Sequence, residues 1–210
     1  MNLLKATPYR LLLASNSPRR RELLKLIDPD YQVAEMHDVD ESYPADLAPE
    51  KVPEYLSRLK AEAYKKELVD REVIITADTV VIIDGQILGK PKDDADAVDM
   101  LMRLMGRTHT VVTGVTLMST QKSVTFAEAT EVTFDNISRP EIEAYVRNFR
   151  PMDKAGAYGI QEWIGCVAIS GIKGCFYNVM GLPLHTLYQH LRDFQFSLPM
   201  GLMRAVTPCS

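Results

Sequence analysis

The chain has 210 residues, 46% of them hydrophobic and 25% charged, a composition ordinary for one α/β domain or two small lobes around a cleft. Its formal net charge of −4 argues against general affinity for nucleic acid or an acidic membrane surface, so any anion binding must be local. The three cysteines, Cys166, Cys175 and Cys209, show no paired metal spacing, and their odd count points to a reducing, cytoplasmic setting rather than a disulfide framework.

The opening MNLLKATPYRLLLAS interrupts its apolar residues with charge and is too short to span a membrane. Residues 9–14 form a short apolar run that predicts a buried strand. Ser15 and Asn16 then make a turn, and Ser17-Pro18 predicts a helix start with Ser17 as N-cap. Leu23, Leu24 and Ile27 give that helix its apolar face. Arg19, Arg20 and Arg21 crowd its first turn, where the helix dipole disfavours cations by about 0.3–1 kcal/mol each. A bound anion reverses that sign. Ser15, Ser17, Arg19 and Arg20 therefore read as a phosphate cradle, against the alternative of three solvated surface arginines.

Residues 31–34 predict a second strand, followed by D-V-D-E-S from Asp38 to Ser42. That acidic cluster is either a solvated loop or a set of groups, Glu41 among them, that points into a cleft. Beyond the break at residues 44–49, a helix is expected over 50–68 with Val52, Leu56, Leu59 and Ala63 on one face. Lys60 sits at the edge of that stripe, where it either snorkels to water or reaches inward to a phosphate. Residues 72–77 are a continuous β-branched run, the mark of a central strand, and Asp78-Thr79 is expected to interrupt it before residues 80–83. A lone aspartate between apolar runs must be paired, metal-bound or facing a site, because a buried uncompensated carboxylate is costly. Asp84-Gly85 predicts a two-residue hairpin turn, and the return through Gln86–Leu88 brings Lys90 to the end of the sheet that holds Asp78.

Asp93 predicts the cap of a helix lined by Val98, Leu101, Met102 and Met105 and stopped by Gly106. Thr108–Met118 and Ser123–Phe134 predict an antiparallel hairpin. Ser138 and Glu141 match a capping box for a helix that turns Ile142, Tyr145 and Val146 inward. Residues 149–165 keep neither helical nor strand period, and their glycines predict a loop passing close to a ligand. Residues 167–172 predict a last core strand, and 184–194 a closing helix packed through Leu184, Leu187, Tyr188 and Leu191. Residues 1–196 are read as one domain and 197–210 as a loose tail. The scattered histidines read as core or surface residues.

Chemistry follows from the inventory. Asp78 and Glu41 suit a hard divalent cation, Mg²⁺ or Mn²⁺, bridging to phosphate oxygens, while Lys60, Lys90 and the arginines offset charge on a leaving group. No G-x-x-x-x-G-K-[ST] is present, which excludes a P-loop nucleotidase, and no serine or cysteine sits in a nucleophile elbow. Hydrolysis by metal-activated water is therefore the preferred mechanism.

The blocks S-N-S-P-R-R-R-E-L-L, D-V-D-E-S, L-K-A, A-D-T-V-V, G-K-P, D-K-A-G-A-Y-G-I-Q and N-V-M-G-L-P, in that order, resemble the Maf family of nucleoside triphosphate pyrophosphatases. The resemblance implies an elongated α/β fold, a mixed twisted sheet with flanking helices and two lobes around a central cleft, similar to the inosine-triphosphate pyrophosphatases. It implies hydrolysis between the α and β phosphates, with Asp78 as general base and Glu41, Lys60 and Lys90 as the other polar members of the catalytic site. It implies a phosphate cradle of Arg19, Arg20 and the Ser15–Ser17 turn, and a homodimer. Substrate choice in the family is associated with the positions held here by Arg19, Thr79 and Gln161. A-Y-G-I-Q is similar to the branch acting on dTTP and UTP, with modified pyrimidine nucleotides as an extension. A glutamine amide supplies the donor and acceptor that the O4/N3–H edge of uracil or thymine requires. Tyr158 and Trp163 are candidates to stack on the base. Two departures from the pattern stand out: Thr76 occupies the place before A-D-T where the family commonly has glycine, and Glu162-Trp163 follow Gln161 where glycine is usual. The alternatives are a nucleotide-binding regulator of cell division, with hydrolysis incidental or absent, and an enzyme of the same fold preferring purine nucleotides or 7-methyl-GTP.

Overall fold

The computed structural model describes residues 9–196, so the expected tail at 197–210 lies outside the described residues. In chain order the strands are β1 (Arg10–Leu13), β2 (Gln32–Val33), β3 (Glu72–Ile83), β4 (Gln86–Leu88), β5 (Thr108–Met118), β6 (Ser123–Phe134) and β7 (Ile169–Lys173). The helices are α1 (Pro18–Lys25), α2 (Val52–Glu62), α3 (Asp94–Leu104), α4 (Arg139–Phe149), α5 (Trp163–Ala168), α6 (Phe176–Val179) and α7 (Leu184–Phe196). The seven strands form one mixed sheet in the order β2-β1-β3-β5-β6-β7, with β4 paired to β3 off that path.

Strand β3 organises this sheet. One edge pairs antiparallel with β5 from Ile74 to Ile82. The other edge is shared: β1 runs parallel to Glu72–Ile75, and β4 runs antiparallel to Val81–Ile83. Between those two partners, residues 76–80 have no strand beside them. Asp78-Thr79 therefore does not interrupt the strand, as the sequence suggested. The strand continues through it, and it is the flanking sheet that parts.

Alternation along β3 sends successive side chains to opposite faces. Val80 and Ile82 pack with Val52 and Leu56 of α2, and the Thr76 hydroxyl donates to the Ser57 carbonyl at 2.6 Å. Thr76 thus ties α2 to the strand. On the other face, Val73, Ile75 and Ala77 join Leu184, Leu187 and Leu191 of α7, while Val81 and Ile83 join α3 and α4. The core is accordingly in two halves along one sheet face, with a thinner layer under α2.

Helix α2 lies unusually close to the sheet because Gly114, the register partner of Asp78, has no side chain. A Cβ there would fall 2.2–2.4 Å from the backbone of Pro53 and Glu54. Close approach also corrects the expected helix face. Val52 and Leu56 bury as expected and are joined by Pro53 and the small Ser57 and Ala61, whereas Leu59 and Ala63 are half-buried. The helix ends at Glu62 rather than reaching residue 68. Met102 is exposed and Leu104 takes its place in the core. Tyr188 is likewise exposed.

The predicted last core strand also changes. Residues 163–168 are helical, and β7 begins only at Ile169, at the sheet edge and largely exposed. A short apolar run has no period long enough to separate a helix turn from a strand. Other boundaries match the sequence pattern: both strands of the β5–β6 hairpin, the Asp93 cap accepting from the Asp96 amide, and the Ser138–Glu141 capping box.

His109 is buried on β5, stacked on Phe134, with Nε2 2.7 Å from the Tyr158 hydroxyl. Burial pushes its pKa down to about 4. A folded-state pKa below the unfolded value means that the unfolded chain binds the extra proton, so stability falls as pH drops through the window from the unfolded pKa of about 6.5 to about 4. The expected loss is about 3 kcal/mol, and His109→Gln should flatten that part of the stability–pH curve in urea melts. Gly114→Ala should destabilise the fold by about 1–3 kcal/mol or more through overpacking against α2, as read by thermal denaturation.

Candidate active site

A cavity of about 590 Å³ opens at the bare edge of β3, within the range of small-molecule sites. Ser15, Ser17, Arg19, Arg20, Glu41, Lys60, Asp78, Thr79, Lys90 and Gln161 all line it. Its two ends carry different chemistry.

At the acidic end, the last turn of α2 aims Lys60 across the bare edge, with Nζ 2.7 Å from Asp78 Oδ1 and 3.1 Å from Glu41 Oε2. The Asp78 side chain is only 15% exposed, so this contact fixes the direction of a largely desolvated carboxylate. Lys60 reaches inward, but to carboxylates. Lys90 follows β4, where the Gly89 carbonyl is anchored by the Gly156 amide at 3.0 Å. Lys90 is exposed and makes no ion pair among the described residues, leaving its charge to the cavity.

The anion-attracting end is the β1–α1 turn. Ser15 Oγ accepts from the Ser17 amide at 3.2 Å, and Ser17 Oγ caps α1 by accepting from the Arg20 amide at 3.4 Å. The three arginines have three different roles. Arg21 Nε donates back to the Ser15 carbonyl at 3.1 Å. Arg20 donates to the Gly181 carbonyl at 2.8 Å, the Ala77 carbonyl at 2.8 Å and Thr79 Oγ1 at 2.9 Å. It thereby satisfies a β3 carbonyl at the bare edge, where no strand does so. Burial lowers the Arg20 pKa, Asp78 opposes that shift, and the guanidinium remains charged. Arg19, which donates to Asp153 Oδ2 at 2.6 Å, is held only by an exposed carboxylate and is the arginine placed to meet a ligand.

The Thr79 hydroxyl is also committed. It accepts from Arg20 and lies 2.9 Å from Thr113 Oγ1, whose own proton goes to the Asn178 carbonyl at 3.0 Å. Its proton therefore goes to Thr113, and Thr79 acts on the cavity through the direction of Arg20. Gln161 is exposed to the cavity wall. Neither proposed stacking aromatic offers a free ring face: Tyr158 touches the cavity but is buried against Phe134 and His109, and Trp163 stacks on Tyr145 without lining the cavity. Tyr43, an exposed aromatic that sequence reasoning passed over, does line it.

Sequence reasoning also missed a row of charges that starts on the wall at Asp153 and Lys154 and runs on to Glu162. Lys154 Nζ lies 2.8 Å from Asp153 Oδ1 and 3.1 Å from Glu162 Oε1. Burial alone would raise the Asp153 carboxyl, but the bonds from Lys154 and Arg19 outweigh it and hold the group below the usual carboxylate range. The D-K pair within D-K-A-G-A-Y-G-I-Q was the available signal, since a charged pair inside an aperiodic glycine-rich loop needs partners.

For a divalent cation, Asp78 and Glu41 converge on a single ammonium, so both lie within reach of one cation. No group of three or more His, Cys, Asp or Glu able to hold a metal occurs among the described residues. Two carboxylates fit Mg²⁺ or Mn²⁺ bound jointly with waters and substrate phosphates rather than in a closed protein cage.

Fold and site together define an α/β protein with a charged ligand cleft at the parted edge of a central strand. The chain belongs to the Maf-like family: residues 10–194 match the family described as Maf-like protein. It is 52% identical over 184 residues to the dTTP/UTP pyrophosphatase of Bacteroides thetaiotaomicron, covering 88% of this chain and 95% of that one. It is 53% identical over 188 residues to the dTTP/UTP pyrophosphatase of Porphyromonas gingivalis, covering 89% and 94%. Among solved structures, a HAM1 protein from Coxiella burnetii aligns over 88% of this chain and 99% of its own at 13% identity, with a TM-score of 0.47.

The arginine roles separate experimentally. Arg20→Lys should cost about 2–4 kcal/mol, because one ammonium cannot span the acceptors of a buried fork. Arg19→Lys should cost less than about 1 kcal/mol. Chemical denaturation of the two variants gives the comparison.

Proposed function

We propose that this chain is a nucleoside triphosphate pyrophosphatase that hydrolyses the α–β phosphoanhydride of dTTP and UTP, releasing the monophosphate and pyrophosphate. The observation that carries this reading is the Asp78–Lys60–Glu41 cluster facing Arg19 across one cavity. The dTTP/UTP pyrophosphatase activity by which relatives at about half identity are known supports the substrate class.

In this reading the triphosphate lies along the β1–α1 turn. Ser17 presents the helix N-terminus to it, and Arg19 exchanges Asp153 for a phosphate oxygen, a charge-assisted bond stronger than a neutral one. Arg20 supplies fixed charge from behind while bracing the turn. Asp78, steered by Lys60, accepts the proton of the water that attacks the α phosphorus. Lys60 and Lys90 offset the charge that builds on the departing pyrophosphate. Asp78 and Glu41 would hold a Mg²⁺ or Mn²⁺ ion, which when bound polarises phosphate oxygens and acidifies water. Gln161 reads the pyrimidine edge with its paired donor and acceptor.

No helix among the described residues is long and apolar enough to cross a membrane. A cytoplasmic location is part of the same proposal, suited to the uncrosslinked Cys166 and Cys175. A homodimer is proposed on family resemblance.

Pyrophosphate release should be followed for a panel of nucleoside triphosphates, with Mg²⁺ or Mn²⁺ and with EDTA. Release should be greatest from dTTP and UTP, stop with EDTA, and fall at least about a hundredfold in Asp78→Asn. Arg19→Ala should lower kcat/KM by at least about tenfold, the value of one charge-assisted phosphate contact. Preferential turnover of purine nucleotides or 7-methyl-GTP would overturn the substrate assignment. Nucleotide binding without turnover would overturn the enzyme.

A further inference from the structure

Glu162 stands next to the cavity-lining Gln161, outside the lining itself, and the mechanism above gives it no task. Its carboxylate accepts from the Tyr145 hydroxyl at one oxygen and lies 3.1 Å from Lys154 Nζ at the other, with 16% of the side chain exposed. Burial and the Glu162 bond both raise the Tyr145 phenol, which keeps it the donor. Lys154, 9% exposed, continues to Asp153 at 2.8 Å, and Asp153 continues to Arg19 at 2.6 Å. A chain of polar contacts thus runs from Tyr145 on α4 to Arg19 on α1, with charges of alternating sign from Glu162 onward.

The backbone shows what Glu162 holds still. Its amide donates to the Gly159 carbonyl at 3.0 Å, while the Gly159 amide donates to the Tyr145 hydroxyl at 3.2 Å. Tyr145 therefore grips both ends of one tight turn, at the Gly159 amide and at the Glu162 carboxylate. Gln161 lies inside that turn and makes no hydrogen bond of its own among the described residues, so the turn sets its direction. The ends of both side chains close over its base: a Cβ on Gly159 would lie 2.7 Å from Glu162 Cδ and 2.9 Å from Gln161 Nε2.

We infer that Glu162 is a positioning residue for Gln161, and through it sets how strongly the cleft distinguishes one nucleobase from another. The inference rests on the reading that the cleft takes a nucleoside triphosphate with its base at Gln161. Removing the carboxylate leaves a largely buried ammonium with a single partner and strips the Tyr145 hydroxyl of its acceptor. The turn relaxes in response, and the Gln161 amide loses the fixed aim that discrimination by hydrogen bonding needs.

The test uses Glu162→Gln, which keeps the length and an acceptor for Tyr145 but not the charge, and Glu162→Ala, which loses both. The ratio of kcat/KM for dTTP to that for dATP should fall about tenfold in Glu162→Ala and less in Glu162→Gln. The loss should lie in KM for dTTP, with kcat within about twofold. Adding Glu162→Ala to Gln161→Ala should lower the ratio no further, since the two act through one contact. In the ligand-free protein, the Gln161 side-chain amide NMR signal, assigned by its absence in Gln161→Ala, should shift and broaden in Glu162→Gln. Glu162→Gln carries the test alone if Glu162→Ala does not fold. An unchanged ratio, an additive double variant or an unmoved amide signal overturns the inference. A wild-type protein that turns over no triphosphate overturns the proposed function instead, and the amide signal still decides whether Glu162 holds Gln161.

Discussion

Strand β3 takes two partners of opposite direction along one edge, β1 running with it and β4 against it, and neither covers residues 76–80. A bare stretch of central strand exposes backbone groups that must be satisfied by something else. Here that is the Arg20 guanidinium, which donates to the Ala77 carbonyl and then to Thr79 and Gly181. The gap also lets side chains from both faces of one strand, Asp78 and Thr79, reach the same cavity. An unbroken sheet would put them in separate layers.

Around this gap, charge is arranged in opposed pairs rather than as a single basic patch. Lys60 stands between Asp78 and Glu41, Arg19 against Asp153, and Lys154 between Asp153 and Glu162. Such pairs in a partly desolvated cleft hold one another in place, yet the outer members remain able to exchange partners when a multiply charged anion enters. In the proposed reading, such local pairing is how a cleft in a chain of net charge −4 would take a triphosphate.

Much of this was legible in the sequence, for physical reasons that differ from element to element. The β5–β6 hairpin was readable to the residue because two long β-rich runs are separated by a short polar turn. The starts of α1, α3 and α4 were readable because Ser17, Asp93 and Ser138 each satisfy an exposed amide. Asp78 announced itself as a carboxylate inside an apolar run. What could not be read was the partnering across long separations. Arg20 looked like a ligand-binding cation until Ala77, Thr79 and Gly181 were brought to it. Glu162 looked like a departure from a glycine pattern until Tyr145 and Lys154 surrounded it. Gly114 carried no local signal at all, although it lets α2 come down far enough for Lys60 to reach Asp78.

The central claim is that the gap in β3 seats a triphosphate with its phosphates at the β1–α1 turn and its base at Gln161. A crystal structure of the wild-type protein with α,β-methylene-dTTP tests this most directly, because the methylene bridge blocks the bond that the proposed reaction breaks. The account predicts Arg19 on a phosphate oxygen, Lys60 and Lys90 flanking the β and γ phosphates, the α phosphorus beside Asp78, and the thymine edge on Gln161. An analogue bound outside the cleft, or seated with its base at Asp78 and its phosphates at Gln161, would contradict it.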